Sequence, residues 1–504
     1  MKIQFRKQLS RNSPVKVDDA DIRGEGVIAA NLEQNEHFVR QEFRNCSDMV
    51  YSEISTDGGQ PKRLLVYLGT LVNEEKVNGM FKTIAAFPDT RLPEGTESEN
   101  GKPIPVGKVF TSSKWSEIIR RILRGNAVLF TDGSDKADCF AAENMPQRSI
   151  EEPSSEPSIR GSKEGFVERQ SVNVGLLRHY IRTPRLKMEA FTVGEMTETK
   201  VLVAYIEGLA DESVVERLRN KIAAIRADGI LESGYIEEII RDDPFPIFPI
   251  FQNTERPDVV AGGLLEGRVA ILVDNTPFVI LAPVTFWSGL QASEDYYVRY
   301  PVASFVRGIR LLFLFIAVFV PSFYVAVTTF HQEMIPTSLL LSVASAREPV
   351  PFPIVLEALL MELMFEALRE AGVRLPRPIG QTVSIVGALV IGQSAVQAGI
   401  ISAPSVIIVS MTGIAAFLIP RFSFANGVRL LRFPMIVLAG TLGLYGIALG
   451  FLGILLRVVH LKSFGVPYFT PVSPFSKRAL KDVFFRAPID GRVFAPQYEK
   501  DGTK

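Results

Sequence analysis

The 504-residue chain has few of the side chains that bind metals or form disulfides. It contains two cysteines, Cys46 and Cys139, and four histidines at positions 37, 179, 331 and 460. This number of cysteines gives no disulfide framework, and the scattered histidines do not have the spacing of a zinc site. An excess of charge is also lacking, since 55 basic residues match 55 acidic ones. We therefore expect no nucleic-acid partner and no metal.

The short motifs of common enzymes are missing as well. The segment from Ala261 to Gly267 is rich in glycine, but the Lys-Ser/Thr pair of a nucleotide-binding loop does not follow it. It is typical of a helix with a glycine terminator. The chain has no Gly-x-Ser-x-Gly nucleophile motif, and its carboxylates are too dispersed to indicate a catalytic pair. We expect neither enzymatic activity nor a cofactor.

The chain has no long apolar run before residue 309, and its first ten residues lack the apolar core of a secretory signal. Residues 1–30 are polar and are interpreted as a flexible arm. Arg299, Arg307 and Arg310 flank the first apolar run on its N-terminal side, in agreement with the positive-inside rule. The N-terminal part is therefore expected to be cytosolic.

Alternating strand and helix patterns occupy the polar part of the chain. A buried-strand pattern begins at Lys62 and leads into a helix that is capped near Asn73. Trp115 to Gly125 has the spacing of a helix that ends at glycine. The segment from Ala127 to Phe140 follows and predicts a hairpin that turns at Asp132-Gly133.

The same order of elements recurs about 140 residues later, which indicates two related α/β subdomains. Leu65 to Glu75 aligns with Val203 to Ser213, and Ile122 to Asp132 aligns with Leu264 to Asp274. Chance similarity between common strand-helix patterns is the alternative. Subdomain 1 is predicted at 31–148, a linker at 149–165 and subdomain 2 at 166–300. The proline-rich segment Asp242 to Phe251 reads as an extended connector or as a binding groove.

The last third predicts a multi-pass helical membrane domain at 301–460, followed by a polar tail at 461–504. Spans of about 20 apolar residues are long enough to cross a bilayer. Four are predicted, at 309–330, 379–399, 400–420 and 434–459, and the arginines at 421, 429 and 432 would form a connection between spans. An acidic helix at 352–372 is a fifth candidate.

The second predicted span is rich in small residues, which permits close helix packing, and it also contains polar side chains. A single polar side chain in a span often forms a hydrogen bond to a neighbouring helix, but five polar side chains in one span favour contact with water or a pore. The candidate pore residues of this span are Gln381, Ser384, Gln393 and Gln397.

The acidic helix has Glu357, Glu362, Glu366 and Glu370, of which the last three form one stripe. Each would carry about 2.5 to 3.5 kcal/mol at mid-bilayer on an insertion scale. We therefore expect the stripe to face water, either with the helix flat in the interface or along an aqueous path in an oligomer. Glu357, Glu362 and Glu366 are candidate gating residues. If the acidic helix lies flat in the interface, the C-terminal tail is cytosolic and the arginines at 421, 429 and 432 face outward. If this helix crosses the membrane, the three arginines face inward and the tail is outside.

Three segments resemble the A subunit of the spore germinant receptors, the GerA family. They are Arg160 to Glu168, Asn253 to Pro277, and Pro351-Phe-Pro with the acidic helix after it; the family usually has proline at the position of Ser162. The resemblance covers the chain from about residue 40. It implies a multi-pass protein of the spore inner membrane that acts with a transporter-like B subunit and a lipoprotein C subunit.

The resemblance further implies an A subunit that forms or gates an ion-conducting homo-oligomer and triggers germination, with nutrient recognition mainly in the B subunit. Two alternatives stay open. One is a stage V sporulation paralogue, which would relay or amplify ion release rather than sense nutrients. The other is a secondary transporter, although no inverted repeat is visible among the spans.

Overall fold

The fold has an N-terminal α/β part and a C-terminal helical part. The structure is a computed structural model, and it describes residues 26–54, 61–86, 109–144, 153, 156–158, 160–374, 392–475, 479–486 and 488. The first 25 residues of the predicted arm and much of the predicted linker therefore lie outside the described residues.

Two antiparallel sheets form the α/β part. The first contains β1 (Met49–Ile54), β2 (Arg63–Leu68), β3 (Val109–Ser112), β4 (Asn126–Thr131) and β5 (Ala137–Ala141). The second contains β6 (Leu186–Val193), β7 (Thr199–Ile206), β8 (Gln252–Thr254), β9 (Val269–Val273) and β10 (Val279–Ala282).

In the described ranges, seven α-helices accompany the sheets. They are α1 (Leu32–Glu42), α2 (Glu74–Ala86), α3 (Trp115–Ile122), α4 (Gln170–Tyr180), α5 (Glu212–Ala223), α6 (Ser233–Ile240) and α7 (Pro257–Leu265). The helical part contains α8 (Tyr300–Phe330), α9 (Thr337–Arg347), α10 (Ile354–Arg374), α11 (Ala403–Phe417) and α12 (Phe422–His460), and residues 392–397 are also helical.

Local signals in the first half correspond to these elements. The predicted hairpin is confirmed, because β4 and β5 pair with Val128 opposite Cys139. The side chain of Asn73 accepts hydrogen bonds from the amides of Glu75 and Lys76, which confirms the predicted cap. Both cysteines are buried and unbridged.

The two sheets have the same strand order. The first runs β1-β2-β4-β5-β3 and the second runs β6-β7-β9-β10-β8. The segments aligned from the sequence lie at equivalent positions, since β2 corresponds to β7 and β4 to β9. A repeated order of this kind agrees with the repeat found in the sequence.

A buried ion pair joins the two halves of the α/β part. Asp48 precedes β1, and Arg178 in α4 donates to both of its carboxylate oxygens, at 2.9 and 2.8 Å. Arg178 also donates to the carbonyl of Leu186 at the start of β6. Burial alone would lower the pKa of Arg178, but the charge of Asp48 raises it above its ordinary value. Arg178 therefore stays protonated at ordinary pH, and its ion pair with Asp48 links the two sheets.

The helical part differs from the spans predicted for it. Among the residues that the structure describes, two helices, α8 and α12, are long and apolar enough to cross a membrane. α8 has 31 residues, a length of about 46 Å. The predicted span 379–399 lies mostly outside the described residues, and α11, within the predicted span 400–420, has only 15 residues. Four or five separate spans are thus not confirmed.

α12 is not a single straight helix, which corrects the prediction of one span at 434–459. Gly443 interrupts it with φ 62° and ψ −141°. Beyond this glycine, Gly450 lies against Met435 and Leu438, and residues 15 apart would be separated by about 22 Å in a straight helix. The chain therefore folds back at Gly443 as a helical hairpin.

Both ends of this hairpin pack against residues that flank strands of the second sheet. Near its start, Phe424 contacts Phe248 and Phe286, with ring centroids 5.2 and 5.1 Å apart. Just after its end, Phe464 contacts Phe251 at 5.4 Å. The proline-rich segment that contains Phe248 and Phe251 is therefore a packing surface between the two parts of the chain.

The segment predicted as a polar tail is partly buried on the α/β part. It includes a small antiparallel pair, β11 (Lys462–Ser463) and β12 (Val466–Pro467). The hydroxyl of Ser463 donates to the carbonyl of Ile250 and accepts from the amide of Val284. The described residues after the hairpin thus complete the second α/β unit.

Candidate functional site: buried charges between the helices

α10 carries the predicted gating glutamates, and it buries two of them. Glu357 is 0% exposed and Glu362 is 1% exposed. The expectation that the stripe of Glu362, Glu366 and Glu370 faces water is wrong for Glu362, because donors on neighbouring helices replace water. Glu366 is partly buried, with 19% of its side chain exposed. Glu370 is more exposed and pairs with Arg374 on its own helix.

Glu362 forms an ion pair with Arg432 at the contact of three helices. Nη1 of Arg432 in α12 lies 2.8 Å from Oε2 of Glu362, and the hydroxyl of Thr412 in α11 donates to Oε1 at 3.2 Å. Arg432 is 0% exposed, and its Nε and Nη2 atoms have no hydrogen-bond partner among the described residues. Loss of one partner of such a pair typically costs about 3–5 kcal/mol, because a buried charge is left uncompensated.

Glu366 continues this contact by one helical turn. Arg369, three residues further along α10, lies 2.8 Å from its Oε2 atom. Nε of Arg429 lies 3.8 Å from Oε1, an ion-pair distance rather than a hydrogen bond. Glu362 and Glu366 on α10 therefore face Arg432 and Arg429 on α12, and we call these four residues the charge ladder.

Glu357 has a different role, at the start of α11. Its Oε1 atom accepts hydrogen bonds from both the amide and the hydroxyl of Ser402, each at 2.6 Å. Ser402 is the N-cap residue of α11, where the helix dipole favours a negative charge. Arg347, at the end of α9, lies 3.5 Å from the other carboxylate oxygen. Glu357 thus fixes the start of α11.

Two of the four predicted pore residues lie within the part of the chain that the structure describes. Gln381 and Ser384 lie outside the described residues. Gln393 and Gln397 lie on the helical stretch 392–397, where both are exposed. Their role in a conducting path stays a prediction.

Sequence reasoning missed the partners of the glutamates. Arg429 and Arg432 were assigned to a connection between spans, but both belong to α12. The available signal was their spacing of three residues, which places them on one helical face, as the spacing of four does for Glu362 and Glu366. Within the described ranges, no three His, Cys, Asp or Glu side chains are grouped as metal ligands would be.

A second cluster of charges lies where α8 begins. Arg307 donates to Asp295 at 3.0 Å and to the backbone carbonyl of Asp482 at 2.6 Å. Arg310 donates to both carboxylate oxygens of Asp295. Tyr296 donates to the carboxylate of Asp482, and burial raises the pKa of this tyrosine. Asp482 therefore lies beside the start of α8, on the side of the α/β part.

Comparison with known proteins places this arrangement in a family. Residues 37–498 match the family described as Bacillus/Clostridium GerA spore germination protein. The chain belongs to the GerA family. The resemblance found in the sequence is confirmed, and the family consists of spore germination proteins rather than enzymes.

Several GerA relatives are similar over nearly the whole chain. The uncharacterized membrane protein YfkQ of Bacillus subtilis is 48% identical, over 92% of this chain and 90% of the relative. Spore germination proteins KA and A1 of the same organism are 44% and 38% identical, over 92% of this chain in both cases and over 85% and 93% of the relatives.

One solved GerA structure is also similar. It is the N-terminal domain of the A subunit of the Bacillus megaterium spore germinant receptor GerK3, which is 29% identical. The match has a TM-score of 0.40 and covers 52% of this chain and 98% of that domain.

Proposed function

We propose that the chain is the A subunit of a nutrient germinant receptor in the spore inner membrane. In this proposal it assembles with a transporter-like B subunit and a lipoprotein C subunit. Its helical part forms or gates an ion-conducting homo-oligomer that triggers germination. Membership of the GerA family supports the receptor role, and the two long apolar helices support a membrane location.

The proposed topology has both ends of the helical part on the cytosolic side. Two α/β units related by duplication lie there, and the helices cross the membrane several times. The fold-back at Gly443 supports this arrangement, because it returns the chain to the side on which α8 begins. Arg421 and residues 479–486 of the tail then lie on the same side, so neither of these two basic segments has to face outward.

The Glu362–Arg432 pair is the observation that carries the gating role. The pair joins α10 to α12, the hydroxyl of Thr412 adds α11, and all three side chains are buried. A buried ion pair of this kind has two favourable states, one in which the two side chains are in contact and one in which they are separated and both charges are hydrated. A partly separated pair is unfavourable, because each buried charge then lacks compensation. The charge ladder would then separate when α10 moves relative to α12, and the released glutamates would favour cations in the path.

Ion release from spores tests this role. Replacing Glu362 and Glu366 together by glutamine should alter the rate of nutrient-triggered ion release and its ion selectivity. Glu370→Gln is the matched control, since the ion-pair partner of Glu370 among the described residues is Arg374 on its own helix, and it should leave both unchanged. Immunoblots of the spore membrane fraction would show that the variants accumulate. Unchanged flux and selectivity in an accumulated double variant would contradict the proposal.

A further inference from the structure

A cavity of about 590 Å³ lies where the second α/β unit meets the turn between α11 and α12. Gln252 and Asn253 of β8 form one wall, and the turn residues Pro420 and Arg421 form another. The volume is within the range of small-molecule sites, which is about 300 to 1,000 Å³. The cavity is separate from the charge ladder, which lies further along α12.

The charged side chains of the cavity wall leave a net negative charge. Glu156, Glu232 and Arg421 are its charged lining residues. Arg421 is already paired with Glu156 at 2.5 Å. Burial raises the pKa of Glu232, but hydrogen bonds from Ser233, Gly234 and Thr276 outweigh burial and hold this pKa below its usual range. Glu232 is therefore a carboxylate at neutral pH, and the positive charge of Arg421 is already compensated.

Aromatic side chains supply much of the remaining wall, and the members of this group are Phe251, Phe278, Phe422, Phe424 and Tyr468. The negative face of an aromatic ring attracts a cation, most strongly where water is partly excluded. Aromatic rings around a net negative charge favour a ligand with an apolar body and a positive head.

Two further wall residues have hydrogen-bond acceptor atoms suited to the positively charged group of such a ligand. The side-chain amide of Asn253 donates to a carboxylate oxygen of Glu237 at 2.8 Å, which fixes its orientation and leaves Oδ1 as an acceptor. Oδ1 of Asn253 and Oγ1 of Thr285 have no hydrogen-bond partner among the described residues. Both atoms are acceptors for N–H donors.

We propose that this cavity binds a small organic ammonium compound, with its charged nitrogen near Glu232 and its apolar part against the aromatic wall. The net negative charge and the aromatic lining favour this class over a carboxylate or an anionic phosphate compound. The site does not depend on ion conduction by the helical part.

Binding can be measured directly on the full-length protein in detergent by ligand-observed NMR titration. The probes are n-butylammonium, butyrate and n-butanol, which share an alkyl chain and differ in charge. We expect n-butylammonium to bind more tightly than the other two. Glu232→Gln and Phe278→Leu should each weaken its binding about three- to fivefold.

Matched controls distinguish the site from the general surface. Glu238→Gln and Phe245→Leu change exposed residues outside the cavity and should leave binding unchanged. Phe278→Leu removes no hydrogen bond, so it reports on the site even if Glu232→Gln lowers the melting temperature. Equal binding of butyrate and n-butylammonium, or full n-butylammonium binding by Phe278→Leu, would overturn the proposal. Because no step measures ion release, failure here leaves the gating proposal intact.

Discussion

Oε1 of Glu156 and Nη1 of Arg421 lie 2.5 Å apart, although 265 positions separate the two residues in the chain. Glu156 precedes the second α/β unit and also accepts a hydrogen bond from Thr254 in β8 at 2.6 Å. Arg421 is the N-cap residue of α12, the helix that carries the arginines of the charge ladder. The pair therefore connects the α/β part directly to the helix whose partners we propose as a gate.

The first prediction concerns the coupling energy of this pair. A double-mutant cycle with Glu156→Gln and Arg421→Gln should give about 1–2 kcal/mol, because the pair is charge-assisted and its side chains are only 17% and 12% exposed. The measurement is the free energy of unfolding in urea. Glu370 and Arg374, an exposed pair on α10, form the control, with an expected coupling of at most about 0.5 kcal/mol. Equal coupling in the two cycles would contradict this prediction.

The second prediction concerns the fold-back at Gly443. Gly443→Ala should destabilise the helical part by about 1–3 kcal/mol, because φ 62° with ψ −141° is available to glycine and strained for alanine. A Cβ there would also lie 2.9 Å from the ring of His331. Gly453→Ala is the control, since no described atom beyond its own stretch of helix lies within 4 Å of its Cβ position, and helix propensity alone predicts a gain of up to about 1 kcal/mol. Thermal unfolding in detergent compares the two, and a Gly443→Ala protein as stable as the control would refute the strained turn.

The third prediction is a loss of stability in acid through Glu189. Burial raises the pKa of this carboxyl, but hydrogen bonds from Arg219 and Tyr205 outweigh burial, and the pKa lies below its usual range. Because the pKa of Glu189 is lower in the folded protein than in the unfolded chain, ionised Glu189 stabilises the fold above the unfolded-state pKa of about 4.3. This stabilisation is lost as the pH falls through the pKa of the folded protein. The difference in melting temperature between the native protein and Glu189→Gln should therefore be largest near pH 7 and shrink below about pH 4.

The control for this titration is Glu36→Gln. Glu36 pairs with Arg40, whose side chain is 52% exposed, so the substitution should change stability little. A Glu189→Gln difference that stays constant from pH 7 to about pH 3 would show that the lost contact does not depend on the charge.

Short-range patterns predicted much of the α/β part. The turn at Asp132-Gly133 and the cap at Asn73 depend on a few neighbouring residues, and both are present as expected. The alignment of Leu65 with Val203 anticipated that β2 and β7 occupy the same place in two sheets of equal order. Such features are determined locally, by turn chemistry and by the alternation of apolar side chains.

The helical part was harder to predict, because the hydropathy of a segment reports its composition and does not show where the chain turns. Gly443 is one of several glycines in an apolar stretch, and only its backbone conformation distinguishes a turn from a continuous span. The α12 partners of Glu362 and Glu366 lie 70 and 63 positions further along the chain, beyond the reach of local helix spacing. An insertion scale treats each glutamate as isolated, so it could not anticipate that Arg432 withdraws Glu362 from solvent.

The hydrogen bonds of Ser463 to Ile250 and Val284 have a consequence for how the chain is made. Ile250 and Val284 are synthesised before every helix of the helical part, and Ser463 after all of them. The second α/β unit therefore stays incomplete while those helices enter their final environment, and the aromatic surface around Phe251 stays uncovered until Phe464 arrives. Domains usually fold in order of synthesis, but here completion of the earlier unit waits for the last part of the chain. A chain that stopped after α12 would keep this surface open to aggregation, even with every helix in place.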